Sequence, residues 1–237
     1  MFLNKYPYPA NFAFPEAFDS ETGCVQIGGA SFEASLLSFE GDVYRVRVSN
    51  REVWPEYLAL QPPTPPSPSS RQRLRFTDGF GLELIGDGGQ PLLRTAAGCG
   101  FGISGEASLF QFVTPEGARF YGQGEKDLGE FELSGYRTKF WNTDVWGDFH
   151  WAQWGSNPVD PPYFTTPYLV LKSGDEYVGL LLDNPYPTFI ETPGKDETRI
   201  FVEWQRTSPH VIMGSEGGEA NLWVIYGPSL RDLTRKL

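Results

Sequence analysis

Val43-Tyr44-Arg45-Val46-Arg47-Val48 alternates, with Tyr44, Val46 and Val48 on one face and Arg45 and Arg47 on the other. A period of two is that of a pleated strand, whereas helical faces repeat every three to four residues. Short apolar runs recur at Tyr168 to Leu171, Val178 to Leu182, Ile200 to Trp204 and Leu222 to Tyr226, and no long window before the C-terminus sustains a helical period. Turn signals separate them: Asp87-Gly88-Gly89, Lys172-Ser173-Gly174-Asp175 and Pro193-Gly194-Lys195-Asp196. Such short runs joined by Gly- and Asp-containing turns predict an all-β chain, built as a large antiparallel β-sandwich.

The 237 residues, 40% of them apolar or aromatic, suffice for one large β domain with a substantial core. A net charge of −11 argues against nucleic acid and against anionic membrane surfaces as partners, because both require clustered Lys and Arg. The start MFLNKYPYPANF has no basic-then-apolar leader, and no segment has the length of a membrane span, so a cytoplasmic protein is expected. Cys24 and Cys99 stand far apart and outside any CxxC pattern, which offers no framework for zinc and favours free thiols. Gln61 to Ser70, QPPTPPSPSS, lacks the backbone donors of a sheet strand and is expected to be an extended surface loop.

One helix is expected, at the end. Ser229 with Asp232 three residues on resembles a capping box, and Leu230, Leu233 and Leu237 follow at helical spacing. The signal starts a helix that the sequence then cuts short, so 1–227 is read as the sandwich and 228–237 as the start of a helix leading onward.

The richest stretch chemically is FYGQGEKDLGEFELSGYRTKFWNTD, Phe120 to Asp144. Gly122 and Gly124 allow a sharp turn, Glu125 and Asp144 are hydroxyl acceptors, and Tyr121, Phe140, Trp141 and Trp146 present flat apolar faces. This is the chemistry of a sugar-binding edge. Turn-fixing is the expected role of Tyr121, Gly122, Gly124 and Glu125, with Glu125 a candidate ion-pair partner of Arg137 that holds the tip loop. Asn142 and Thr143 suit local capping of the turn. Trp151 and Trp154 fit either a sugar face or a domain seam. His150 and His210 are the only histidines, and their spacing recommends neither a metal site nor an acid/base pair.

The order YGxGE, a short Arg-containing strand, then WNTD resembles the N-terminal, galactose-mutarotase-like β-sandwich domain of glycoside hydrolase family 31, the α-glucosidases and α-xylosidases. PPYFTTPYLVL from Pro161 to Leu171 and VIYGPSLRDLTRKL from Val224 to Leu237 fit the same comparison. The resemblance implies a domain in front of a (β/α)8 barrel that holds both catalytic aspartates, so no catalytic residue is assigned here. It implies retaining hydrolysis of an α-linked oligosaccharide or glycoside in the whole enzyme, without metal or organic cofactor, and an inactive isolated domain. It also implies that Asp144, on a loop reaching over the barrel mouth, touches sugar hydroxyls, with Trp141 and Trp146 beside it. Two other readings remain open: a stand-alone carbohydrate-binding module, and a mutarotase-like sugar epimerase.

Overall fold

The computed structural model describes residues 12–50, 72–124, 130–140, 165–194 and 209–237. Among them two eight-stranded antiparallel sheets pack face to face. The first sheet contains β1 (Pro15–Asp19), β2 (Cys24–Ile27), β3 (Ala30–Phe39), β4 (Val43–Ser49), β10 (Arg119–Gly124), β12 (Thr165–Ser173), β13 (Glu176–Leu182) and β16 (Ala220–Gly227). Its spatial order is β1-β2-β3-β4-β16-β13-β12-β10. The second contains β5 (Leu74–Thr77), β6 (Gly81–Ile85), β7 (Pro91–Thr95), β8 (Phe101–Ser104), β9 (Ala107–Val113), β11 (Arg137–Phe140), β14 (Thr188–Glu191) and β15 (Val211–Ser215). Its order is β11-β14-β15-β9-β7-β6-β5, with β8 added on β9. The expected all-β sandwich is the fold.

The alternation of the sequence decides which side chains enter the core. Tyr44, Val46 and Val48 of β4 join Val178, Leu180 and Leu182 of β13 and Leu222, Val224 and Tyr226 of β16 between the sheets. Phe76, Phe80, Phe101, Phe110 and Phe112 continue this core through the second sheet as a chain of ring contacts with centroids 4.9 to 6.0 Å apart. Each such pair adds roughly 0.5–1.5 kcal/mol beyond the burial of its apolar area. Arg45 and Arg47 take the opposite face of β4 and are nevertheless buried. Their neighbours on β16 are Trp223 and Asn221, so this outer face combines polar side chains with an apolar cluster of Phe39, Val43, Val170, Leu181 and Ile225.

The expected helix is present as α1 (Leu230–Lys236). The Ser229 hydroxyl accepts from the Asp232 amide at 3.2 Å, which makes the N-cap read from the sequence, and donates to the Asp232 carboxylate at 2.7 Å, so the carboxylate holds the capping hydroxyl. Leu233 alone of the three leucines is buried, in the outer apolar cluster of the first sheet.

A polar network ties the sheets together beside this helix. Arg73 Nε donates to Asp42 at 3.1 Å and its Nη2 to Asp87 at 2.5 Å, with the guanidinium 4.2 Å from the centre of the Tyr226 ring. The Tyr226 hydroxyl lies 2.9 Å from Asp87 Oδ2 and 2.8 Å from Glu176 Oε1. Burial and these two carboxylates hold the phenol far above its usual pKa.

Val43–Ser49 and the runs at Tyr168, Val178 and Leu222 fall in strands as expected, and the Lys172–Asp175 turn joins β12 to β13. Cys24 and Cys99 are free thiols. The Ile200–Trp204 run and the Gln61–Ser70 loop lie outside the described residues. Among the described residues no helix is long and apolar enough to cross a membrane.

Candidate functional site

Strand register gathers the chemistry at the end of the sandwich opposite α1. Gly124, the last residue of β10, pairs with Thr165, the first of β12. Phe140, the last of β11, pairs with Thr188, and Thr188 with Ser215. The segment 141–164 therefore leaves the edge of the second sheet and returns to the first at this same end. Ser49, the Asn184–Tyr186 turn and the Gly217–Glu219 loop lie there too, because Val48 pairs with Ala220 and Leu182 with Leu222.

The YGQGE turn is built by backbone crowding. Gly122, Gln123 and Gly124 have φ of 97°, 71° and 70°, and the register slips between Gly122 and Gly124. A Cβ on Gly122 would stand 2.8 Å from the Tyr168 carbonyl oxygen, and one on Gly124 3.0 Å from the Thr166 amide nitrogen. Only glycine fits at these two positions, so they serve the bulge itself. Tyr121 points outward from the first sheet and packs, half-buried, on its apolar cluster.

Gln123, the variable residue of that motif, is fully buried despite its left-handed backbone. Its Oε1 accepts from Thr138 Oγ1 at 2.6 Å, while its Nε2 has no hydrogen-bond partner among the described residues. Thr138 is itself fully buried, and its single proton goes to Gln123 in preference to the Ile190 carbonyl at 3.4 Å. Its neighbours on β11 alternate: Arg137 donates through Nε to Glu191 at 2.8 Å, and Lys139 pairs with Glu216 at 2.9 Å. Arg137 thus pairs with β14, while Glu125, its expected partner, lies outside the described residues. Asp144, Trp141, Trp146, Asn142 and Thr143 lie outside them as well, as do His150, Trp151 and Trp154.

A second polar group continues across the same end. Arg47 binds Glu219 through two bonds of 2.7 and 2.9 Å, with both side chains buried. Arg45 Nε donates to Asn221 at 3.0 Å, and Trp223 Nε1 to Asp183 at 3.3 Å. Asn184 Nδ2 donates to the Gly217 carbonyl at 2.9 Å and the Glu219 carbonyl at 2.8 Å, and its Oδ1 accepts from the Tyr186 amide at 2.8 Å. Sequence reasoning missed Gln123, Thr138, Glu191 and Glu219, because each is defined by a partner distant in sequence. Arg47 within an alternating strand was the one available signal for a buried counter-charge. Among the described residues no three His, Cys, Asp or Glu side chains come together as a metal site.

Two packed antiparallel sheets with this bulged edge form a large antiparallel β-sandwich. Residues 102–191, from β8 to β14, match the Glycosyl hydrolase 31 N-terminal galactose mutarotase-like domain, which is the family the YGxGE and WNTD motifs resemble. No curated protein matches the chain. Among solved structures, a Flavobacterium johnsoniae family 31 dextranase complexed with isomaltotriose is similar with a TM-score of 0.65 at 16% identity, over 94% of this chain and 27% of that one. The complex of endoplasmic-reticulum glucosidase II, catalytic subunit with the binding domain of its regulatory subunit, gives 0.57 at 13% identity, over 98% and 34%. A family 31 α-xylosidase from a soil metagenome, complexed with xylose, gives 0.52 at 12% identity, over 92% and 32%. These likenesses show the fold, and the chain spans about a quarter to a third of the length of those proteins.

Proposed function

We propose that this chain is the N-terminal domain of a retaining α-glycosidase of the α-glucosidase type, acting on an α-linked oligosaccharide or glycoside. Residues 1–227 form the sandwich and 228–237 begin the helix toward a (β/α)8 barrel that supplies both catalytic carboxylates. The domain contributes Asp144, flanked by Trp141 and Trp146, to the sugar pocket, and the turn from Tyr121 to Glu125 supports that loop. An ionised carboxylate accepts two directional hydrogen bonds from neighbouring hydroxyls, which suits this role.

The observation that carries this reading is the extent of the family match: residues 102–191 contain the bulged turn, the Gln123–Thr138 bond and the whole of 141–164. The sugars held by the similar dextranase and xylosidase agree with the substrate class. Phe131, 94% exposed, and Leu230 of α1, 52% exposed, supply apolar surface for a docked barrel. The isolated domain is inactive on this reading, and a cytoplasmic location is part of it, checked by cell fractionation.

The test is to read the gene past the codon for Leu237 and assay the longer protein on aryl α-glucosides. Asp144→Ala in that protein lowers kcat/KM by about 100-fold or more with an unchanged melting temperature, a loss of the size expected for a positioning contact. An unchanged kcat/KM removes Asp144 from the pocket. A reading frame that stops soon after Leu237 removes the hydrolase assignment and leaves a stand-alone binding module.

A further inference from the structure

A cavity of about 160 Å³ opens at the 141–164 end of the sandwich, and Tyr186, Gly218, Ser49, Asn50, Glu106 and Glu219 are among the residues that line it. Tyr186 is 45% exposed although it is one of the larger apolar faces of the molecule. Its ring lies flat against the Gly217–Gly218 backbone, where a Cβ on either glycine would come within 2.8 Å of ring atoms. The Asn184 side chain ties the ring's own backbone to the Gly217–Glu219 loop through three hydrogen bonds. Two bonds to Arg47 hold Glu219 in place. The walls are therefore set before any ligand arrives, which lowers the ordering cost of binding.

The chemistry of the walls selects the ligand. An open aromatic face backed by peptide planes takes an apolar C–H surface, while the exposed Glu106 carboxylate and Asn50 amide accept and donate hydrogen bonds. Two carboxylates at one small cavity disfavour an anion, and fewer than three candidate ligands gather for a cation. The volume lies below the ~300 Å³ at which pockets for larger organic ligands begin, which limits an occupant to about one ring. A molecule with an apolar face and a rim of neutral hydroxyls meets all of these conditions. We propose that the Tyr186 cavity is a binding subsite for one neutral pyranose ring, stacked on Tyr186 and hydrogen-bonded to Glu106 and Asn50.

The subsite does not depend on the role given to Asp144: ring-sugar binding by Tyr186 variants tests the subsite, and kcat/KM of the longer Asp144→Ala protein tests the pocket. The 237-residue chain is titrated with methyl α-glucoside, methyl α-xyloside and isomaltose, with mannitol as a hydroxyl-rich control that has no ring face. Ligand-observed saturation-transfer NMR and calorimetry read the binding, and the thermal midpoint of every variant confirms folding. The ring sugars are expected to bind with a Kd on the order of 1 mM, as befits one ring and few contacts. Tyr186→Ser weakens that binding by about 10-fold or more, Tyr186→Phe keeps it, and Glu106→Gln and Asn50→Ala weaken it. Absence of saturable binding by any ring sugar overturns the proposal. Binding that survives both Tyr186→Ser and Glu106→Gln overturns it equally.

Discussion

Gln123 Oε1 accepts a 2.6 Å hydrogen bond from Thr138 Oγ1, and this bond joins β10, the edge of one sheet, to β11, the edge of the other. It lies where the chain departs on 141–164, so it fixes the spacing between β11, which that segment leaves, and β10, the neighbour of the β12 strand to which it returns. Thr138→Val keeps the shape and deletes the donor, leaving the buried Gln123 amide without a partner among the described residues. The expected cost is about 1–3 kcal/mol in urea unfolding. A variant as stable as the parent would show that the bond does not hold the seam.

The Arg47–Glu219 pair is buried on both sides. Arg47→Met strands a carboxylate in a desolvated wall and is expected to cost about 3–5 kcal/mol, whereas Arg47→Met combined with Glu219→Leu recovers most of that loss. Equal instability of the single and double variants in denaturant titration would mean that packing, and not charge compensation, sets the cost.

Tyr168 presses its ring on Gly179, and its buried hydroxyl has no hydrogen-bond partner among the described residues. Desolvation pushes its pKa up from 10.0 to about 12. Because the folded value lies above the unfolded one, its contribution is fully present below pH 10 and is lost as the pH rises from 10 toward 12. Tyr168→Phe should therefore flatten the stability–pH curve over that window and, at neutral pH, be neutral or stabilising by about 1 kcal/mol. Chemical denaturation across this range, beside ultraviolet titration of tyrosinate, checks both statements.

Ser229→Ala removes the N-cap hydroxyl of α1 and is expected to cost about 1 kcal/mol. The loss should be local, with faster hydrogen exchange at the Asp232 and Leu233 amides and little change in the sheet core. Uniformly faster exchange would instead make the helix part of the global folding unit.

The fold class was legible because a strand's faces are written in its own sequence. Alternation at Val43–Val48 gave β4 and its two faces, and the Ser229–Asp232 spacing gave the start of α1. The need for glycine at 122 and 124 was legible too, though its reason, the nearness of the Tyr168 carbonyl and the Thr166 amide, belongs to the neighbouring strand. The expected sugar-contact residues Asp144, Trp141 and Trp146 lie outside the described residues, so their roles rest on the family likeness.

Local spacing by itself determined strands, turns, the cap and the all-β class, since each depends on residues within a few positions of one another. Tertiary structure alone decided that Gln123 meets Thr138, that Arg47 meets Glu219 across 172 positions, and that Tyr186, Asn50 and Glu106 line one cavity. Hydrogen bonds and ion pairs between strands depend on which strands become neighbours, and burial of the two sheets' apolar faces against each other makes that choice.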